Sequence, residues 1–227
     1  MAGLKTVYTK EQRFLWKLQN ERNMDVNELK RLSVYIYRMV TSNNIHYSQL
    51  SNAGYLHHHN VNVAILAALL GINIEIEVGL IKRMIFGCLV HDIGKLWTIP
   101  TILDKPGKLD MVEKGIMDTH TMLGHSVISK FTQDEVICAI VRDHHQYFTS
   151  NNNPEIDKND EKSICAYLCS IADVMDAMLS MRCYKDVLDP QSVINELIKY
   201  KVTDEYINMV KNIIFPKEAQ KVAKTSN

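Results

Sequence analysis

The apolar run Met84-Ile85-Phe86-Gly87-Cys88-Leu89-Val90 ends directly in His91-Asp92-Ile93-Gly94-Lys95, and no other stretch constrains the fold as much. The run reads as a buried helix, so it carries a histidine and a charged aspartate to the inner end of a core element. Such groups are costly in an apolar interior unless something pairs with them. A divalent metal is the natural partner, because it takes imidazole and carboxylate together. Ligand-type residues recur beside other apolar helical stretches: His59 upstream, then His120, the doublet His144-His145, and Asp173 within Ser170-Ile171-Ala172-Asp173-Val174.

The remainder of the chain reads as helix. Phe14, Leu15 and Leu18 suggest a short amphipathic helix over 9–22, and Asp25-Val26-Asn27-Glu28 has the form of a capping box opening a helix to about residue 41. That second helix would bury Leu29, Leu32, Ile36, Met39 and Val40. A third carries His59 and ends at Gly71 as its cap. The His91-Asp92 helix starts near Glu77. Turn chemistry marks Ile99-Pro100 through Lys105-Pro106-Gly107-Lys108. Helices are then expected over 110–131, 133–146 and 161–180, with more from about 190, and a polar loop runs over 149–154. No strand alternation, repeat or linker stands out. The expected fold is all-α with one core: a short N-terminal helical extension over 1–54 and a helical bundle around a metal centre over 55–227.

Bulk properties narrow the partners. Formal net charge is +0 with 46% hydrophobic residues, so nothing predicts general attraction to polynucleotides or anionic membranes. Phosphate recognition must come from a few placed cations. The five cysteines, at 88, 138, 165, 169 and 183, form no C-x-x-C pair and suit reduced packing residues. No stretch approaches the ~20 apolar residues that span a bilayer, and the first residues lack a signal-peptide core. A cytoplasmic protein is expected.

A two-ion centre needs one carboxylate able to bridge, and Asp92 suits that role. His91 would reach one ion, with Asp173 closing its shell. His120, His144 and His145 offer nitrogens to the other. Two ions about 3.5–4 Å apart suit phosphodiester hydrolysis. Lys95 lies four residues after His91, on the same side if the helix continues, which Gly94 leaves open. A lone histidine is ordinarily structural, and His46 and His125 are read that way. His57 and His58 are read as neighbours of His59.

Several stretches together resemble the HD-GYP domain, a branch of the HD-domain metal-dependent phosphohydrolases. They are His59-Asn60-Val61-Asn62-Val63-Ala64, Leu89 through Lys95, Ile99-Pro100 with Lys105-Pro106-Gly107-Lys108-Leu109, and Met117-Asp118-Thr119-His120 with Gly124. Asp143-His144-His145, Ile171-Ala172-Asp173-Val174-Met175-Asp176-Ala177 and Arg182-Cys183-Tyr184-Lys185 complete the series. The resemblance implies an all-helical domain that hydrolyses cyclic di-GMP at a centre of two or three metals, often iron or manganese. It implies ligand roles for His59, His91, Asp92, His120, His144, His145 and Asp173, and a phosphate contact for Lys95. Asp176, Arg182 and Lys185 match positions that contact the cyclic dinucleotide. A carboxylate one helical turn beyond Asp173 can accept from a guanine edge, and Arg182 offers a fork for phosphate or guanine acceptors.

Two departures stand out. The family's His-His-Glu with Gly-Tyr-Pro is here His144-His145-Gln146, followed by Tyr147 and an Asn-rich loop to Pro154. Four residues before His59, where three-metal members carry Glu, stands Tyr55. Two divalent ions are therefore expected, iron or manganese, with zinc compatible by ligand type. The leading expectation is a phosphodiesterase for cyclic di-GMP or a related cyclic dinucleotide, with Asp92 and Lys95 as catalytic residues. The alternatives are a non-catalytic cyclic-dinucleotide receptor and an HD phosphohydrolase of another nucleotide. A regulatory protein partner or a homodimer is left open.

Overall fold

The computed structural model describes residues 2–42, 45, 47–51, 53, 55–148, 156–180 and 189–216, and among them there is no strand. Eleven α-helices follow in order: α1 (Ala2–Glu21), α2 (Val26–Ser42), α3 (Leu56–Asn73), α4 (Val78–Val90), α5 (Pro100–Leu103), α6 (Met111–Asp118), α7 (His120–Ile128), α8 (Glu135–Asp143), α9 (Glu161–Leu179), α10 (Pro190–Lys199) and α11 (Asp204–Ile214). A 3₁₀ segment, Ile93–Trp97, follows α4. No helix among the described residues is long and apolar enough to cross a membrane.

α3 is the axis of the bundle. Its residues from His59 to Ala68 are all buried, and it packs against α1, α2, α4, α9 and α11. A helix apolar on all sides can sit only where others cover it. α4 lies beside it and touches α2, α8 and α9, while α7 rests on the 3₁₀ segment and on α8. α10 covers α9 and α11 packs on α10 and α3. Aspartates set several helix starts: Asp110 with Glu113 forms a reciprocal capping box on α6, and Asp134 and Asp160 cap α8 and α9. The start expected at Asp25 is also formed, with its carboxylate accepting from the Glu28 amide at 2.9 Å. The stripe expected on α2 is buried as a set, with Ser33 added to it.

Several expected boundaries move, and the helix expected over 133–146 is shortened to Glu135–Asp143. α1 begins at Ala2 because Leu4 and Val7 continue the stripe of Phe14, Leu15 and Leu18; Glu11 stands on the same face and interrupts the apolar pattern. α3 runs past Gly71 to Asn73, and Glu75 takes the left-handed turn at φ 56°. At Gly71 a Cβ would meet the flexible end of the Met84 side chain on α4, 2.9 Å from its Cε. The single helix expected over 110–131 is two, α6 and α7, meeting at Thr119, and this bend puts His120 on the first turn of α7. Cys88, Cys165 and Cys169 are buried and Cys138 half-buried, all free thiols; Cys183 lies outside the described residues.

Candidate metal centre

α4 ends at Val90, and His91 and Asp92 turn the chain into the 3₁₀ segment. Both side chains are buried at the inner end of the core, as expected from the run that leads into them. His59 comes from α3, His120 from α7, His144 from the end of α8 with His145 next to it, and Asp173 from α9. These side chains gather into two groups, His59 with His91 and Asp173, and Asp92 with His120, His144 and His145. Every ligand-type residue expected from the sequence is thus brought to one place.

Asp92 stands between the groups. Its Oδ2 is 3.3 Å from His59 Nε2 and 3.6 Å from His91 Nε2. Its Oδ1 is 3.1 Å from His120 Nε2 and 3.7 Å from His144 Nε2. Asp173 Oδ1 lies 3.1 Å from His59 Nε2 on the far side. One carboxylate therefore offers one oxygen to each group.

The histidines are held in a common sense. His91 Nδ1 lies 2.7 Å from the Cys88 carbonyl and His120 Nδ1 2.6 Å from the Met117 carbonyl. His144 Nδ1 lies 3.0 Å from the Ile140 carbonyl, and His59 Nδ1 2.6 Å from Asp176 Oδ2. All four partners are acceptors, so each Nδ1 carries a hydrogen and each Nε2 is left facing the centre. His59 Nε2, His91 Nε2 and Asp92 Oδ1 are buried and have no hydrogen-bond partner among the described residues. Buried polar atoms are ordinarily satisfied, and imidazole nitrogens with carboxylates are the donors that transition-metal divalent ions prefer. The residues fit such an ion.

The electrostatics agree. Burial would raise Asp92, but Lys95 and the histidines outweigh it and hold its carboxyl well below the usual range. Asp173 is likewise held well below, burial being overcome chiefly by His59. Burial pushes the His91 imidazole down to about 4 and also lowers His144, so both stay neutral at neutral pH. His59 differs: burial lowers it, yet Asp173, Asp176 and Asp92 more than compensate and hold it well above its ordinary value. A cation is wanted where those three carboxylates converge.

Close backbone packing positions His120. A Cβ on Gly94 would sit 1.9 Å from the His120 carbonyl oxygen, and one on Gly124 would lie 3.2 Å from the Gly94 nitrogen. The two glycines let the 3₁₀ segment and α7 touch backbone to backbone. The α-helical register that would have aligned Lys95 with His91 does not persist. Lys95 reaches the site through the 3₁₀ turn, and its ammonium pairs with Asp92 Oδ2 three residues before it.

A cleft of about 380 Å³ opens over the centre. Asp92, Lys95, His120 and His145 line its floor, and Leu103, Leu109 and Met117 form an apolar wall. Tyr55 is exposed at its rim. Asp176 also borders the cleft but is buried, accepting from His59 Nδ1, from Asn62 Nδ2 at 2.6 Å and from Ser180 Oγ at 2.9 Å. A guanine edge would compete with Asn62 and Ser180 for its oxygens. Arg182 and Lys185 lie outside the described residues, as does the loop at 149–155. Sequence reasoning passed over Asn60 and Asn62. Two amides inside an otherwise apolar helical run are the signal that could have found them.

A sequence model of the HD domain family matches residues 56–178. The 3'3'-cGAMP-specific phosphodiesterase 2 of Vibrio cholerae is 34% identical over 114 residues, 49% of this chain and 22% of that protein. The cyclic di-GMP phosphodiesterase of Thermotoga maritima is 26% identical over 166 residues, 69% of this chain and 45% of that protein. The chain thus spans less than half the length of either relative. Among solved structures, the crystal structure of the L. monocytogenes phosphodiesterase PgpH HD domain superposes with a TM-score of 0.51 at 15% identity, covering 85% of this chain and 98% of that one. At that identity the likeness is one of fold. The family match runs from the first turn of α3 to the last of α9, through every element that contributes to the cluster, and the chain belongs to the HD domain family.

Proposed function

We propose that this chain is a metal-dependent phosphodiesterase that opens a cyclic dinucleotide, cyclic di-GMP or a close relative such as 3'3'-cGAMP, at a centre of two divalent ions. The observation that carries the reading is Asp92, whose two oxygens face two separate groups of imidazoles. His59, His91 and Asp173 would hold one ion and His120, His144 and His145 the other, with Asp92 shared. Iron or manganese suits this thiolate-free set, and zinc is compatible. The named activities of the relatives support the substrate class.

Bound there, two ions supply an activated water nucleophile and charge stabilisation at the phosphoryl oxygens. The protein's own part is orientation and charge. The Nδ1 hydrogen bonds lock four imidazoles with Nε2 inward, so little reorganisation is needed when ligand arrives. Lys95 keeps an ammonium at the cleft floor, where it can meet a phosphate oxygen. Leu103, Leu109 and Met117 give an apolar wall that sheds water from one side of the cleft. Asp176 acts first by holding His59. Arg182 and Lys185 are assigned to the dinucleotide by the sequence resemblance. Hydrolysis consumes one water and breaks one P–O bond, leaving a phosphate monoester and a ribose hydroxyl.

Anaerobic purification with metal analysis, followed by incubation with cyclic di-GMP, 3'3'-cGAMP and cyclic di-AMP, tests this. About two ions per chain are expected, with a linear product from at least one dinucleotide that stops on chelation and returns with Mn²⁺. Tight dinucleotide binding without product from a fully loaded protein would mark a receptor instead.

A further inference from the structure

One residue of the N-terminal helix reaches toward this centre. Tyr8, on α1, donates its phenol hydrogen to Asn62 Oδ1 at 2.6 Å and accepts from the Ser51 amide at 2.9 Å. Asn62, buried on α3, uses its two amide hydrogens on the Ser51 carbonyl at 2.7 Å and on Asp176 Oδ1 at 2.6 Å. Asp176 Oδ2 meets His59 Nδ1, and His59 Nε2 faces Asp92 and Asp173. The chain Tyr8–Asn62–Asp176–His59 is continuous, with 2.6 Å between heavy atoms at each link.

We propose that Tyr8 is a positioning residue for His59, so that the N-terminal helix tunes the affinity of the ion site built on His59, His91 and Asp173. This rests on the proposed metal centre. The physical reason is satisfaction. Asn62 has one acceptor oxygen and two donor hydrogens, and all three are used only while Tyr8 is in place. Remove the phenol hydroxyl and a buried amide oxygen loses its partner, so Asn62 can turn or shift to find another. Either movement loosens its grip on Asp176 Oδ1 and hence the carboxylate that sets the His59 tautomer and ring angle. Of these four histidines, only His59 has a carboxylate on Nδ1; His91, His120 and His144 use backbone carbonyls three or four residues earlier in the chain. A signal through α1 therefore falls on one ion site and spares the other.

Metal-free protein titrated with Mn²⁺ under anaerobic conditions, by calorimetry, resolves the two sites, with His59→Ala identifying the one it removes. Tyr8→Phe keeps the ring, including its edge contact with His58 at 4.6 Å between centroids, and removes only the hydroxyl. It should weaken the His59 site about threefold to tenfold, the equivalent of one net hydrogen bond. The other site should move less than twofold. In an Asn62→Ala background Tyr8→Phe should add nothing, because the link is already cut. Val7→Ala, which removes buried packing from the same helix, should leave the two affinities in their wild-type ratio. Unchanged affinity in Tyr8→Phe, equal losses at both sites, or the same selective loss in Val7→Ala would each overturn the proposal. The readout is ion binding, so this split in a protein that hydrolyses nothing would overturn the phosphodiesterase reading and leave Tyr8's role standing. A wild type that binds no Mn²⁺ would overturn both.

Discussion

Asp92 and Glu11 are both fully buried carboxyl groups, and they titrate in opposite directions. Asp92 is surrounded by Lys95, His59, His91, His120 and His144 and is held well below the usual carboxylate range. Glu11, on the buried face of α1, has one long contact, with Asn60 Nδ2 at 3.4 Å, and its Oε2 has no partner among the described residues. Burial, with Glu28 adding like charge and Asn60 partly offsetting it, pushes Glu11 up to about 8. Burial is the same in the two places; the partners decide whether the charge survives. The centre is built to keep charge inside the core, and the α1 contact is built to keep it out.

The largest effect should come from taking the charge out of the centre. Asp92→Ala removes the one carboxylate that faces both groups, so two nearby cations would lose their shared counter-charge. Loss of at least one ion and of all measurable hydrolysis is expected, by metal analysis and product assay on the same sample. Two ions retained with wild-type turnover would show that Asp92 does not bridge.

Gly94→Ala should come next, because it leaves every ligand in place and attacks only their arrangement. A Cβ 1.9 Å from the His120 carbonyl forces α7 away from the 3₁₀ segment. A loss of about 3 kcal/mol or more in denaturant unfolding is expected, together with weaker ion binding at the His120 group. An unchanged unfolding midpoint would mean that the contact of the two backbones is not required.

Glu11→Gln tests the other side of the comparison. The unfolded chain ionises this group near ~4.3, while the folded protein holds its proton until about 8. Between those values the unfolded state binds fewer protons, so wild-type stability falls as pH rises through that window. The amide substitution removes this dependence. Glu11→Gln should match wild type near pH 4 and exceed it at pH 8 by on the order of 4 kcal/mol. Parallel stability curves across that range would mean that Glu11 is charged in the core after all.

Thr98→Val should have the smallest effect. Its hydroxyl is buried with no partner among the described residues, yet it carries no charge. A gain of about 1 kcal/mol is expected from an isosteric swap. A loss of that size would reveal a partner for the hydroxyl.

The difference between these two carboxyls also separates what was legible in the chain from what was not. An apolar helix that stops at His91-Asp92 announces a buried charge that must be either partnered or neutralised. The recurrence of His59, His120, His144 and Asp173 beside apolar runs says who the partners are. Glu11 gave the opposite signal: a glutamate in a polar-looking segment hid the helix start at Ala2 and hid its own burial. Tyr8 was equally silent, since it lies 54 residues from Asn62 and tyrosine is not rare in a helix.

The sequence by itself determined the fold class, the order of the main helices and the residues that meet at the centre. Periodicity, caps and the cost of stranding charge all act within a few residues, so they can be read along the chain. Only the tertiary structure decided that α4 gives way to a 3₁₀ turn and sends Lys95 to Asp92. It alone brought Gly94 and Gly124 into backbone contact, and it gave Asp176 to His59, Asn62 and Ser180. The Gly94–Gly124 contact and the Asp176 bonds to His59 and Asn62 depend on distances between segments far apart in the chain, and such distances are set by how whole helices pack.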